Sequence, residues 1–173
     1  MTARRPTRIA AAVIVAMAAA TWAGALAAAP IVAASDRGGP FAWGAALAYR
    51  AGSVICHQQG ARSLHPGGVR MPVCARCAGL YAGGALGALA ALAWVVASAA
   101  PLRLPLGRAR VAAVACGLPT VAAWAGEHLA GLPVPALARA ALALPLGAAV
   151  AVITTVWAGG ATFDDTPPGS ALH

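Results

Sequence analysis

Four long apolar segments constrain what this sequence can fold into. A helix needs about 20 mostly apolar residues to cross the hydrocarbon layer of a bilayer. Four segments meet or approach that length: residues 9–34, 78–100, 111–132 and 136–158. Only 9% of the residues are charged, against about 25% in a typical soluble domain. We therefore predict an all-α, multi-pass protein of the inner (cytoplasmic) membrane, with about four transmembrane helices and the lipid bilayer as its main partner.

The segments between these helices predict the domain organisation. Residues 41–55 are apolar but short, so we expect a short interfacial or re-entrant helix there. Residues 56–77 form a polar loop rich in cysteine and histidine. We predict one membrane domain over residues 1–158 and a disordered tail over residues 159–173.

The first apolar segment has two interpretations. Arg4, Arg5 and Arg8 precede it, which is typical of a signal peptide and also of a helix with a cytoplasmic N-terminus. The apolar run is longer than the usual signal-peptide core of about 7–15 residues. We therefore favour an uncleaved helix that begins in the cytoplasm.

The positive charge does not indicate nucleic-acid binding. The formal net charge is +8, and all the basic residues are arginines. They are spread over the termini and loops, without a basic run or interleaved aromatic residues. This distribution is typical of contacts with lipid headgroups at the ends of membrane helices.

The polar loop contains the strongest functional pattern in the chain. Cys74 and Cys77 form a C-x-x-C, a spacing that lets two sulfurs face one metal ion. Cys56 precedes them by a normal separation for another ligand, and His57 is our first choice for the fourth. Thiolate and imidazole together favour zinc. His65 and, further along the chain, His128 are rival fourth ligands.

The same cysteines also permit redox chemistry. In that alternative, the protein is a thiol–disulfide oxidoreductase in which Cys74 and Cys77 are the exchanging pair, Cys56 is the resolving thiol and a quinone accepts the electrons. Arg76 would lower the pKa of its neighbours. A small-molecule transporter is a weaker alternative, because no predicted helix carries charges at its centre. Cys116 lies alone in an apolar segment, so we interpret it as a core residue.

Helix connectivity predicts a polar cluster around this loop. The second and third long helices are joined by a short loop, so they should be antiparallel. The start of one and the end of the other then lie at the same membrane face, with the start of the fourth helix beside them. A pocket for a lipid or other small molecule could form there from these residues: Arg62, His65, Arg76, Tyr81, Glu127, His128 and Arg139.

The loop resembles the signature of a family of small prokaryotic integral membrane proteins with a domain of unknown function. The matching stretches are Cys56-His57-Gln58, Arg62-Ser63-Leu64 and residues 71–83, which read MPVCARCAGLYAG. Leu64 departs from the aromatic residue usual in the family. Family members also tend to carry an acidic residue in the next-to-last helix and an arginine in the last, positions that Glu127 and Arg139 would fill. The resemblance implies an integral membrane protein with a common polar site, and no particular reaction.

Overall fold

The computed structural model describes residues 5–35, 38–56, 60–98, 100 and 103–164. Within these residues the chain forms five α-helices, which confirms the predicted all-α class. The helices are α1 (Arg5–Ala33), α2 (Pro40–Ile55), α3 (Ala75–Ala97), α4 (Leu106–Leu129) and α5 (Ala136–Ala158). All except α2 are long and apolar enough to cross a membrane.

Contacts between helix ends fix the directions of the long helices. Arg5, at the start of α1, donates a hydrogen bond from Nη2 to the Val96 carbonyl near the end of α3, at 3.4 Å. Further along the same pair, the rings of Trp22 and Tyr81 meet edge to face, with 5.9 Å between centroids. Helices α1 and α3 are therefore antiparallel. We call the end that holds the C-termini of α1 and α4 and the N-termini of α3 and α5 the cysteine end, and the opposite end the strand end.

Glycines bring α3 and α5 into backbone contact. A Cβ atom added at Gly79 or Gly83 would clash with the carbonyl oxygen of Ala140 or Leu144, respectively, and Gly87 faces α5 in the same way. Small residues matter in a membrane because lipid gives no hydrophobic drive for helix association, which then depends on close packing. The two helices run in parallel along this glycine seam.

The short helix α2 packs against the cysteine end. Ala45 and Ala48 of α2 are buried against Ala29 of α1, and Gly52 lies directly on the carbonyl of Pro72. A helix of 16 residues extends about 24 Å at 1.5 Å per residue, less than a hydrocarbon layer of about 30 Å. The expected short helix is thus present, while its interfacial or re-entrant placement stays a prediction.

Several element boundaries differ from the sequence prediction by a few residues, and two of these differences affect the strand end. Helix α4 begins at Leu106 instead of residue 111. The segment with Arg108 and Arg110 is helical and forms a basic first turn. The tail predicted to be disordered from residue 159 starts with an ordered strand, since β2 (Thr162–Asp164) pairs in parallel with β1 (Arg103–Pro105). Residues 165–173 lie outside the described part of the chain.

Buried contacts explain why the chain after α5 is ordered. Phe163 of β2 packs on the apolar cluster of the strand end, which includes Val95 and Val156. Arg8 of α1 is buried there, and its Nε donates a hydrogen bond to the carbonyl of Gly159 at 2.6 Å. These contacts join α1, α3 and α5 to the two strands.

Candidate metal centre

The start of α3 positions two of the three loop cysteines. Cys74 is the N-cap residue, with an extended backbone at φ −67° and ψ 161°, and the helix begins at Ala75. The N–H of Ala78 donates to the Cys74 carbonyl at 2.9 Å. Cys77 therefore lies within the first helical turn, so both thiols of the C-x-x-C are at the helix N-terminus.

Cys56 joins this pair from the end of α2. The sulfur atoms of Cys56, Cys74 and Cys77 all lie within 4.8 Å of one another. The backbone N–H of Cys74 also donates a hydrogen bond to the Cys56 sulfur at 3.2 Å. We call these three residues the cysteine cluster. This arrangement could hold a metal ion, because tetrahedral zinc binds thiolates at about 2.3 Å and so keeps its sulfur ligands about 4 Å apart.

Apolar and aromatic side chains surround the cysteine cluster. Leu26 of α1 and Val73 of the loop are almost completely buried, and Cys56 and Cys77 pack against this group. Trp22 and Tyr81 belong to the same apolar cluster. The cysteines are half-buried, so a thiolate here is partly shielded from water and still accessible from one side.

The pKa of Cys74 is lowered to about 5, chiefly by a side-chain hydrogen bond with Cys77 and against the opposing effect of burial. A helix N-terminus also favours negative charge, since its first N–H groups lack partners within the helix. Of the two thiols of the C-x-x-C, Cys74 is therefore the one that loses its proton first, since the same contact raises the pKa of Cys77. The thiolate is the form that both binds metals and attacks disulfides.

A charge network lies beside the cysteine cluster. Arg76, between Cys74 and Cys77, donates from Nη2 to Oε2 of Glu127 at 3.1 Å, and Arg139 donates from Nε to the other carboxylate oxygen. The Glu127 side chain is only 5% exposed. The expectation that Glu127 and Arg139 lie at the same end as the C-x-x-C is thus confirmed. One buried carboxylate bridges α3, α4 and α5.

Two of the predicted histidine ligands, His65 and His128, lie apart from the three sulfurs. His65 is exposed in the loop. His128 is exposed at the end of α4, where it stacks on Trp124 at 4.8 Å and donates from Nδ1 to the Trp124 carbonyl. Neither belongs to the cysteine cluster. His57 lies outside the described residues, so its role as fourth ligand stays a prediction.

Two other predicted pocket residues lie at this end of the bundle. Arg62 is half-buried at the end of a short 3₁₀ turn, Gly60–Arg62. Tyr81 is half-buried one turn after Cys77, against Trp22.

Trp22 and Leu26 are the residues that sequence reasoning missed. Trp22 packs inward against the apolar cluster of the cysteine end. Its four-residue spacing from Leu26 puts both on one helix face. This spacing is visible in the sequence, but it does not distinguish the two residues, because nearly every residue of α1 is apolar.

Comparison with known proteins identifies a family whose model covers this region. A family model described as "Predicted membrane protein (DUF2085)" matches residues 56–153, more than half of the chain. The matched segment contains the cysteine cluster and the network of Arg76, Glu127 and Arg139. No curated protein and no solved structure matches the chain.

Proposed function

The chain belongs to the DUF2085 family of predicted membrane proteins, and we propose that it is a membrane metalloprotein whose cysteine cluster binds one zinc ion. The convergence of three sulfurs within 4.8 Å, from the end of α2 and the start of α3, carries this proposal. Free thiols in an apolar protein are usually dispersed as small core residues. Here three of them meet at a polar helix terminus.

The donor chemistry fits zinc. Three thiolates suit a soft or borderline metal, and zinc takes three cysteines and one histidine in many structural sites. His57 is the proposed fourth ligand, because it adjoins Cys56 in sequence. His65 and His128 would each need to move to reach the sulfurs, and a water molecule would complete the site if no histidine does.

The surrounding charges also fit such a site. Three thiolates, a neutral imidazole and Zn²⁺ carry a net charge of −1. The network of two arginines and Glu127 carries a net charge of +1 and begins at Arg76, inside the C-x-x-C. The two groups together are neutral, which lowers the cost of keeping both in a poorly hydrated environment.

The proposed role of zinc is to hold the loop on the bundle. Cys56 follows α2, while Cys74 and Cys77 begin α3, so one ion would tie the two ends of the polar loop together. With the N-terminus in the cytoplasm and α2 not crossing, this end would face outward from the inner membrane. Metal binding would then stabilise the loop residues that line any pocket for a lipid or other small molecule.

Metal analysis of the purified protein tests the proposal. Wild-type protein, purified without added metal, should contain about one zinc ion per chain. Cys77→Ser should lose the zinc, whereas Cys116→Ser should retain it, because Cys116 lies on α4 away from the cluster. Wild-type protein without metal, or equal zinc loss in both variants, would refute it.

A thiol–disulfide oxidoreductase is the second candidate, and the low pKa of Cys74 favours it. In this reaction the Cys74 thiolate and the Cys77 thiol would form one disulfide and pass two electrons to a quinone, which becomes a quinol by taking the Cys77 proton and one proton from water. An apolar cavity of about 430 Å³ that includes Trp22 and Tyr81 in its lining could receive the quinone. A count of free thiols before and after addition of a soluble quinone distinguishes the candidates, since only the redox enzyme loses two thiols per quinol formed.

A further inference from the structure

The strand end contains a second apolar cavity that the metal centre does not use. Its volume is about 500 Å³, and it lies between α4 and α5. Trp94 of α3 and Pro105 of β1 also line it. The walls are almost entirely apolar, and Arg108 is the charged residue among them.

The length of this cavity matches one leaflet of a bilayer. Its lining on α5 extends from Val156, near the strand end, to Pro145 in the middle of the helix. At 1.5 Å per residue, this distance is about 16 Å, roughly half of a hydrocarbon layer of about 30 Å. On α4 the lining runs in the same way from Arg108 inward to Cys116. A chain that enters at the membrane surface would therefore reach the midplane.

Basic and amphipathic residues mark the surface end of the cavity. Arg108 is exposed and makes no ion pair among the described residues. Arg103 and Arg110 are exposed close to it in sequence. Trp94 is 54% exposed, as expected for an indole at the boundary between headgroups and acyl chains. The described side chains thus make the cavity apolar toward the membrane centre and basic at its surface end.

Loose packing of α4 leaves the cavity accessible from the bilayer. Along its 24 residues, only Gly117 and Thr120 are buried. A groove between two loosely packed membrane helices opens to lipid, whereas a pocket for a soluble ligand would open to water.

We propose that this cavity binds one acyl chain of an anionic phospholipid, with the lipid phosphate held by Arg108. The depth of the cavity selects a hydrocarbon chain. The guanidinium of Arg108, which pairs with no carboxylate among the described side chains, selects a negative headgroup. A guanidinium presents N–H groups in a planar fork that suits phosphate oxygens. Zwitterionic lipids lack the net charge that this mouth attracts.

Lipid binding to the delipidated protein tests the proposal. Native mass spectrometry in a neutral detergent would compare phosphatidylglycerol with phosphatidylcholine of identical acyl chains. Wild-type protein should prefer phosphatidylglycerol, and Arg108→Gln should reduce that preference about fivefold, the effect of one cation near a lipid surface. Arg50→Gln is the matched control, because Arg50 is an exposed arginine on α2 at the cysteine end, and it should keep the preference.

A second pair of variants tests the acyl chain. Ala112→Phe fills the cavity and should weaken binding of both lipids, whereas Ala115→Phe adds the same ring at an exposed position of α4 that does not line it. Equal binding of the two lipids by wild-type protein would overturn the headgroup assignment. Unchanged binding by Ala112→Phe would overturn the assignment of the cavity to the chain.

Discussion

Cys74 combines features that favour a thiolate over a thiol. It caps the N-terminus of α3, where the helix dipole favours negative charge. Its hydrogen bond with Cys77 lowers its pKa to about 5. It is half-buried, so a reagent can reach its exposed part.

The reactivity of Cys74 should therefore depend on pH in an unusual range. In reduced, metal-free protein, we expect iodoacetamide to alkylate Cys74 readily at about pH 7, and the rate to fall as the pH falls through about 5, because protonation removes the reactive thiolate. Cys77→Ala removes the hydrogen bond and should move the midpoint upward, toward the ordinary thiol value of about 8.5. Mass spectrometry of the modified peptide measures this; a midpoint near 8.5 in the wild-type protein would contradict it.

Glu127 links three helices through a single carboxylate. Its carboxylate is buried and accepts hydrogen bonds from arginines on α3 and α5. Removing one partner from a buried ion pair is costly, because the remaining charges stay poorly hydrated and unpaired. The network therefore locks three helices together at the cysteine end.

Neutralising this carboxylate should loosen the bundle. We expect Glu127→Gln to lower the free energy of unfolding by about 3 kcal/mol, measured by denaturant titration in detergent. In an Arg76→Gln background the same change should cost less, because one of the two arginines no longer needs a partner. Equal costs in the two backgrounds would show that Arg76 and Glu127 do not interact.

At the level of helix packing, Gly79, Gly83 and Gly87 determine how closely α3 approaches α5. Gly83→Ala adds a Cβ atom that would clash with the carbonyl of Leu144. We expect it to force the helices apart and lower the unfolding free energy by about 1–3 kcal/mol. Gly24→Ala, at a helical position of α1 with open space around it, is the control and should be neutral or slightly stabilising; equal destabilisation by both variants would contradict the packing described.

The sequence predicts the helices well where length and hydropathy are decisive. The predicted bounds of α5 agree with the structure, because Pro135 and Gly159 border a run that is mostly apolar and has Arg139 as its one charged residue. The start of α4 lies five residues before the expected residue 111, because a helix can extend beyond the hydrocarbon layer with arginines such as Arg108 and Arg110 at the surface. The strands β1 and β2 could not be predicted, since three residues give no recognisable alternation.

In the molecule as a whole, the reactive and charged side chains lie at the two ends of the helix bundle. The cysteine end carries the three thiols and the Arg76–Glu127–Arg139 network. The strand end carries a buried arginine, Arg8, bonded to the backbone after α5, together with the exposed arginines of the β1–α4 segment. Antiparallel helix connectivity was sufficient to predict the first grouping. The contact of Arg8 was not predictable, because its partner is a backbone carbonyl about 150 residues away that no side-chain pattern reveals.

Metal removal should affect this whole arrangement, because zinc would connect the two ends of the polar loop. We expect a chelator to lower the melting temperature of the wild-type protein in detergent and to expose the loop to proteolysis, and added zinc to restore both. Cys77→Ser should already melt at the lower temperature and show no response to the chelator. A chelator effect of the same size in Cys77→Ser would indicate a metal bound elsewhere.

The shared metal ion is the central claim, and X-ray absorption at the zinc edge of the purified protein tests it most directly. We predict three sulfur scatterers at about 2.3 Å and one nitrogen or oxygen at about 2.0–2.1 Å. Zinc surrounded only by nitrogen and oxygen would contradict the claim. So would a protein that contains no metal and joins two of these sulfurs in a disulfide.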